Sequence, residues 1–276
     1  MIYCAYDGSV NAHWVARYAL HMAAATAGRA LHLVHVEDGR VSDALIARKL
    51  AHVVDECAGA GVHASVRSEQ CTRSVAHAIL EAVGHGPDDL LLCGARARPR
   101  DRAFLAGTVS HALLSRPPCN VLALRIVSPG VLGVPRRLLL PVSGNRGEGA
   151  ALARFVAPLA PEAQEVHFLR VMLTSDHDLR HATPAMKAGW RATGHAALGQ
   201  VEDELCAAVD LRGLHVDGYV RIAETWSRPA LVAAGQHRCD LVLAGTSPPS
   251  LADRDGELET LLTHASCDVG IWRVPG

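Results

Sequence analysis

Lysine, aromatic residues and long apolar runs are all scarce in this chain of 276 residues. Lysine occurs only at Lys49 and Lys187, aromatic residues make up 4% of the chain, and the formal net charge is −1. Such a chain lacks both the overall basic charge that attracts nucleic acids and the interleaved aromatic side chains that bind single strands. No run approaches the roughly 18 apolar residues of a membrane helix. We therefore expect neither a nucleic acid nor a membrane as partner.

Paired cysteines are also missing, because none of the eight cysteines forms a C-x-x-C motif. Several of them lie inside apolar runs, which is typical of buried, reduced thiols in a cytosolic protein. The first residues, MIYCAYDGS, run directly into a strand-like segment and show no secretory signal. The expected location is the cytoplasm.

What the sequence does contain is a regular alternation of strand and helix patterns. Short apolar runs alternate with segments of helical spacing, and the alternation predicts an α/β fold with a parallel sheet covered on both faces. The predicted strands of the first half are Ile2–Tyr6, Leu31–Val36, Val62–Arg67, Asp89–Cys93 and Asn120–Ile126. The predicted helices between them are Asn11–Ala27, Ser42–Ala58, one capped by Thr72, and Val109–Ser115.

The second half of the chain repeats this pattern. After a linker at residues 128–135, DDLLLCG at 88–94 corresponds to CDLVLAG at 239–245, and CNVLALRI at 119–126 corresponds to CDVGIWRV at 267–274. Two matches at an offset of about 150 residues favour a duplication over coincidence. We therefore predict two domains, at residues 1–127 and 136–276.

The segment CGARARPRDRAFLAGTVS, residues 93–110, follows the fourth predicted strand. Ligands of parallel sheets bind beyond the carboxyl ends of the strands, and glycine lets the backbone turn tightly or approach a ligand closely. The segment also contains Arg96, Arg98, Arg100 and Arg102. This composition fits a phosphate-binding loop whose amides at the next helix face an anion, but it equally fits a solvated surface loop.

Three motifs together resemble the universal stress protein family. They are DGS after the first strand, G-x2-A-x9-G-T-V-S after the fourth, and P-C-x-V-L at the start of the last. The resemblance covers residues 1–127 and, more weakly, 136–274. It implies a tandem protein in which each half is an open five-stranded parallel sheet with helices on both faces. Ala97 stands where the ATP-binding branch of the family has its second glycine.

The resemblance also implies an ATP site in the first half, with or without magnesium. Asp7 would hydrogen-bond the adenine or its ribose, and Val36 would flank the base. The residues that would line the phosphates are Gly94, Arg96, Ala97, Gly107, Thr108, Val109 and Ser110. The implied function is a stress-response module that binds an unknown protein partner according to its nucleotide state. A nucleotide-free scaffold and a slow ATPase remain as alternatives, and the sequence indicates no catalytic residue.

The second half departs from the nucleotide-binding pattern. Ser143 stands where Asp7 stands in the first half, and Pro248 and Leu258 occupy the corresponding glycine positions. The acidic residues Asp253, Asp255, Glu257 and Glu259 would repel phosphates. We therefore expect a degenerate domain that pairs with the first half as a pseudo-dimer, with a homodimer as a further option. The D-H-D-x-x-H cluster in the insertion at 174–187 is interpreted as a polar insertion rather than a metal site.

Overall fold

The computed structural model describes residues 1–39, 41–95, 108–247, 251 and 256–275. These residues form two compact units. The first unit consists of residues 1–134 with short segments from 246–254 and 271–276, and the second consists of residues 135–245 and 255–270. The division at Val134 and Pro135 falls within the segment that the sequence suggested as a linker.

The first unit is a parallel sheet with helices between its strands. Its strands are β1 (Ile2–Ala5), β2 (Ala30–Glu37), β3 (His63–Gln70), β4 (Leu90–Gly94) and β5 (Asn120–Arg125). Its helices are α1 (Val10–Ala24), α2 (Asp43–Gly59), α3 (Val75–Ala82) and α4 (Val109–Ser115). The strand order is β3-β2-β1-β4-β5. Helices α1 and α2 contact one another, and so do α3 and α4.

The strands of the second unit are β6 (Arg137–Val142), β7 (Glu165–Leu173), β8 (His215–Ala223), β9 (Leu241–Gly245) and the start of β10 (Asp268–Arg273). They repeat the arrangement of the first unit, with the strand order β8-β7-β6-β9-β10. The helices of the second unit are α5 (Glu148–Val156), α6 (Asp176–His181), α7 (Pro184–Ala208), α8 (Ser227–Gln236) and α9 (Glu257–His264). The predicted α/β class is therefore confirmed in both units.

Burial follows the hydrophobic pattern of the strands. β4 and β9 are continuous apolar runs in which every residue but the final glycine is buried, as expected for central strands covered on both faces. β3 lies at the sheet edge, pairs with β2 and is largely exposed. No helix in the described part of the chain combines the length and hydropathy of a membrane span.

One predicted helix start is wrong. α3 begins at Val75, and its N-cap is Ser74, whose hydroxyl accepts the His77 N–H at 3.2 Å. Thr72, the predicted cap, lies two residues too early to reach this amide. A cap residue accepts a hydrogen bond from the amide two or three positions further on, so its place is fixed by where the helical turn begins.

Candidate functional site

The loop after β1 carries the first predicted site residue, Asp7. Its Oδ1 accepts the Ser9 N–H at 2.9 Å, and the Ser9 hydroxyl in turn accepts the Ala12 N–H and caps α1. Between them, Gly8 has φ +73, and a β-carbon there would come within 2.6 Å of Ile46 Cδ1. Glycine is therefore required at this turn, which holds the exposed Asp7 at the carboxyl end of β1.

Val36 and Gly94 lie at the ends of the two strands that flank β1. Val36 is the second-last residue of β2 and is 7% exposed. Gly94 ends β4, where a β-carbon would come within 2.5 Å of Asn11 Nδ2. Because β2 and β4 pair with opposite edges of β1, Asp7, Val36 and Gly94 share one end of the sheet. This is also where the chain reverses its winding direction between β1 and β4.

Thr108, Val109 and Ser110 form the start of α4. Thr108 is the N-cap, and its Oγ1 accepts the His111 N–H at 3.2 Å and lies 2.9 Å from Ser110 Oγ. Val109 is 38% exposed, whereas Ser110 is 2% exposed. The Ser110 hydroxyl therefore faces Thr108 rather than solvent. The predicted residues Arg96, Ala97 and Gly107 lie outside the described part of the chain.

Two polar residues near this loop were not among the predicted site residues. Lys49 of α2 donates a hydrogen bond to the Gly8 carbonyl at 2.5 Å, and the Asn11 amide approaches Gly94. Lys49 is one of only two lysines in a chain that otherwise uses arginine. The rarity of lysine could have marked Lys49 as a candidate site residue. The sequence alone, however, does not show that α2 packs beside the turn after β1.

The equivalent turn of the second unit is occupied by a carboxylate of the same chain. The backbone N–H groups of Ser143, Gly144 and Asn145 all donate to the Glu148 carboxylate, at 2.9, 2.8 and 3.2 Å. The Ser143 hydroxyl donates to Glu148 Oε2 at 2.7 Å. Gly144 has φ +75, which turns these amides toward one point. The loop is thus a small anion-binding concavity filled by an internal anion.

Two more glutamates of the second unit accept backbone amides at helix starts. Glu204 accepts the Gly147 and Gly149 N–H groups at 3.0 and 3.1 Å, and these bonds, with one from Gln200, lower the pKa of Glu204. Glu257 accepts the Trp226 and Ser227 N–H groups at 2.8 and 2.6 Å. Its charge, which the sequence suggested would repel phosphates, is directed at the start of α8. Asp253 and Asp255 lie outside the described residues.

The universal stress protein family matches residues 1–125. No curated protein matches the chain. Among solved structures, a universal stress protein from Archaeoglobus fulgidus aligns with a TM-score of 0.62 and 15% identity, covering 99% of this chain and 96% of that one. A candidate universal stress protein from Pseudomonas aeruginosa gives 0.61 and 18%, covering 98% and 91%. The cytoplasmic domain of a prokaryotic cation chloride cotransporter gives 0.61 and 13%, covering 99% and 95%. At these identities the likeness shows the fold.

Proposed function

Since residues 1–125 belong to the universal stress protein family, we propose that the first unit binds one adenine nucleotide, ATP, at the carboxyl ends of β1, β2 and β4. The bound nucleotide would regulate which protein partner the chain engages. Such regulation requires that the partner bind the nucleotide-loaded and nucleotide-free states with different affinity.

The observation that carries this proposal is the position of Asp7 and Gly94. Asp7 follows β1 and Gly94 ends β4, the parallel strand beside it, so they lie on the two sides of the point where the chain reverses its winding direction. Open α/β sheets bind ligands in the crevice at this point, because the loops from neighbouring strands diverge there. Asp7 supplies a carboxylate for a ribose hydroxyl or an adenine amino group, and Gly94 leaves the end of β4 without a side chain.

The surrounding contacts also support a fixed binding loop. Asp7 is held by the Ser9 amide, and Lys49 holds the Gly8 carbonyl from α2. A loop held in its bound shape loses less conformational entropy when a ligand arrives. Thr108 presents its hydroxyl at the start of α4, on the loop that follows β4.

The second unit, by the same proposal, binds no nucleotide. The amides after β6 are already bonded to Glu148, and Ser143 lacks the carboxylate of Asp7. A nucleotide would have to displace Glu148 and leave its charge without these partners, which costs about 1–3 kcal/mol for each lost bond to a charged group. The expected stoichiometry is one nucleotide per chain.

The test is calorimetric titration of ATP, with and without Mg²⁺, into nucleotide-stripped protein. Asp7→Asn removes the charge but retains an oxygen that can accept the Ser9 amide, so the loop keeps its turn. We expect wild type to bind one ATP per chain and Asp7→Asn to bind about tenfold more weakly or worse, as for a lost hydrogen bond to a charged group. Ser143→Ala, at the equivalent position of the second unit, is the matched control and is expected to bind like wild type.

The outcomes separate the alternatives. Equal binding by wild type and Asp7→Asn would place the nucleotide elsewhere, and two sites per chain would contradict the proposed role of Glu148. Absence of binding, with no nucleotide copurified, would identify a nucleotide-free scaffold. Phosphate release measured on the same samples distinguishes a binding module from a slow ATPase, because only the latter releases phosphate in proportion to bound ATP.

A further inference from the structure

Helices α1 and α2 bring two imidazoles and a carboxylate together about one helical turn beyond the loop after β1. His13 lies on α1, and His52 and Glu56 lie four residues apart on α2. His13 Nε2 is 3.6 Å from Glu56 Oε2, and His52 Nε2 is 3.8 Å from Glu56 Oε1. The two rings are nearly parallel, with an interplanar angle of 7° and centroids 5.6 Å apart. One donor atom from each residue lies within 4.8 Å of the other two.

We propose that His13, His52 and Glu56 bind a divalent transition-metal ion of the Zn²⁺ type. Two imidazole nitrogens and one carboxylate oxygen are a ligand set that suits zinc, and a three-ligand site leaves a coordination position open to solvent or an exogenous ligand. With bonds of about 2.0–2.1 Å, tetrahedral donor atoms lie roughly 3.3 Å apart. The donor atoms of His13, His52 and Glu56 lie up to 4.8 Å apart, which is wider than this tetrahedral spacing by up to about 1.5 Å. The exposed side chain of His52 can close this difference by rotating.

The nearby cations limit the affinity but leave the ligand atoms available. Arg17, one turn beyond His13 on α1, has Nη2 2.5 Å from Glu56 Oε1. It orients the carboxylate and leaves Oε2 facing His13, as partners outside the coordination shell commonly do for metal ligands. Lys49 is bonded to the Gly8 carbonyl. Two positive charges nearby repel a cation, so the site should bind more weakly than a closed structural zinc site.

Two other pairs of residues that include histidine, His77 with Glu81 and His177 with His181, provide matched controls. His77 lies 3.3 Å from Glu81 on α3, with the same four-residue spacing as His52 and Glu56. His177 and His181 on α6 have ring centroids 4.5 Å apart. Within the described residues, neither pair has a third donor close enough to complete a three-ligand set. If the three-ligand geometry determines Zn²⁺ binding, these two pairs contribute little to the affinity of the chain for the ion.

The experiment is a titration of Zn²⁺ and Co²⁺ into the full chain, without nucleotide, against a chromophoric chelator. Cys71→Ser and Cys206→Ser are introduced throughout, because these two thiols are exposed and could bind the metal themselves. We expect one ion per chain, with the affinity lowered in His13→Ala and in Glu56→Gln by at least about 10- to 100-fold, the loss typical of removing a residue outside the coordination shell. The control variants His77→Ala and His177→Ala are expected to bind as the parent does.

Thermal unfolding keeps the test interpretable if a variant is less stable. Zn²⁺ should raise the melting temperature of the parent and of both controls, because it binds the folded state, and should raise that of His13→Ala much less at the same concentration. No saturable binding by the folded parent would overturn the proposal. Equal losses in the control variants would overturn it as well. Because nucleotide is absent, the result is independent of the ATP proposal.

Discussion

At the residue scale, Glu148 stabilises the second unit by accepting backbone amides that would otherwise lack a partner. Glu148→Ala removes the acceptor of the Ser143, Gly144 and Asn145 N–H groups and of the Ser143 hydroxyl. Water reaches this turn and replaces part of the loss, so we expect the free energy of unfolding to fall by about 1–3 kcal/mol. Urea unfolding followed by circular dichroism measures the change.

The control for this prediction is Glu162→Ala, which removes an exposed glutamate from the same unit. Surface substitutions of that kind usually change stability by less than about 0.5 kcal/mol. Glu148→Gln should lie between the two, because its amide keeps one acceptor oxygen but places a donor against the remaining N–H groups. Equal stability of the Ala variant and wild type would show that the concavity needs no anion.

His167 is a buried histidine whose titration should affect stability. It lies on β7, is 2% exposed, and its Nε2 is 3.1 Å from Glu165 Oε2. Its Nδ1 has no hydrogen-bond partner among the described residues, and the ring of His237 lies 4.4 Å away, centroid to centroid. Burial lowers the pKa of His167 from 6.5, and His237 acts in the same direction, while Glu165 and Asp217 oppose the shift.

The sign of the pH dependence follows from this lowered pKa. Below pH 6.5 the unfolded chain binds a proton at this histidine, whereas the folded chain does not until the pH reaches its lower pKa. The free energy of unfolding therefore falls as the pH drops from 6.5 toward the folded pKa. We expect His167→Gln to lose less stability than wild type between pH 7.5 and the folded pKa of His167, measured by urea unfolding. Burial also lowers the pKa of His13 and His32, so part of the slope should remain. His63→Gln, at the exposed sheet edge, is the control, and an unchanged slope in His167→Gln would contradict the prediction.

At the element scale, the residue that caps α3 is Ser74 in the structure, whereas the sequence predicted Thr72. Ser74→Ala removes the hydroxyl that accepts the His77 N–H. A lost N-cap costs about 1 kcal/mol, so the melting temperature should fall in Ser74→Ala and change little in Thr72→Ala. Thermal unfolding of both variants measures this. If Thr72→Ala lowered the melting temperature more than Ser74→Ala, Thr72 would be the cap, as the sequence predicted.

Strands and helices were largely predictable because their apolar spacing is a property of the local sequence. β4 and β9 were recognisable as continuous buried runs. The insertion at 174–187 was interpreted only as polar, whereas it contains α6 and the start of α7. Thr183 followed by Pro184 is a helix-start signal, and Thr183 caps α7 by accepting the Met186 N–H. That signal was present in the sequence but was obscured by the charged and histidine side chains before it.

At the scale of the whole molecule, the repeated strand order was predictable from the sequence. The side chains that bond to the turns after β1 and β6 were not predictable. Matching strand ends at nearly the same offset indicated two similar folds, and the two units have the corresponding strand order. The approach of Glu148 to three amides depends on the left-handed Gly144, and the approach of Lys49 to Gly8 depends on how α2 packs. The Lys49 contact joins residues 41 positions apart and is a product of tertiary structure. The Glu148 contacts are local, but they depend on the exact backbone conformation of the turn, which strand and helix patterns do not specify.

Thiol reactivity tests the integrity of both units in a single measurement. Six of the eight cysteines are buried, while Cys71 in the first unit and Cys206 in the second are exposed. Burial raises the pKa of Cys93 and Cys239 to about 12, which removes the reactive thiolate at neutral pH. An aromatic disulfide reagent at pH 7.5 should therefore modify two thiols of the native chain rapidly and all eight in denaturant.

The two exposed thiols should also differ from one another. Partial burial and the Glu202 and Asp203 carboxylates raise the pKa of Cys206, so it should react more slowly than a fully solvated thiol. Cys206→Ser should then remove the slower of the two native phases, and Cys71→Ser the other. Rapid modification of a third thiol in the native chain would mean that one unit opens its core to solvent. Both units contain buried cysteines, so partial denaturation followed by identification of the modified thiols would show which unit opens first. These reporters are Cys4, Cys57, Cys93 and Cys119 in the first unit and Cys239 and Cys267 in the second.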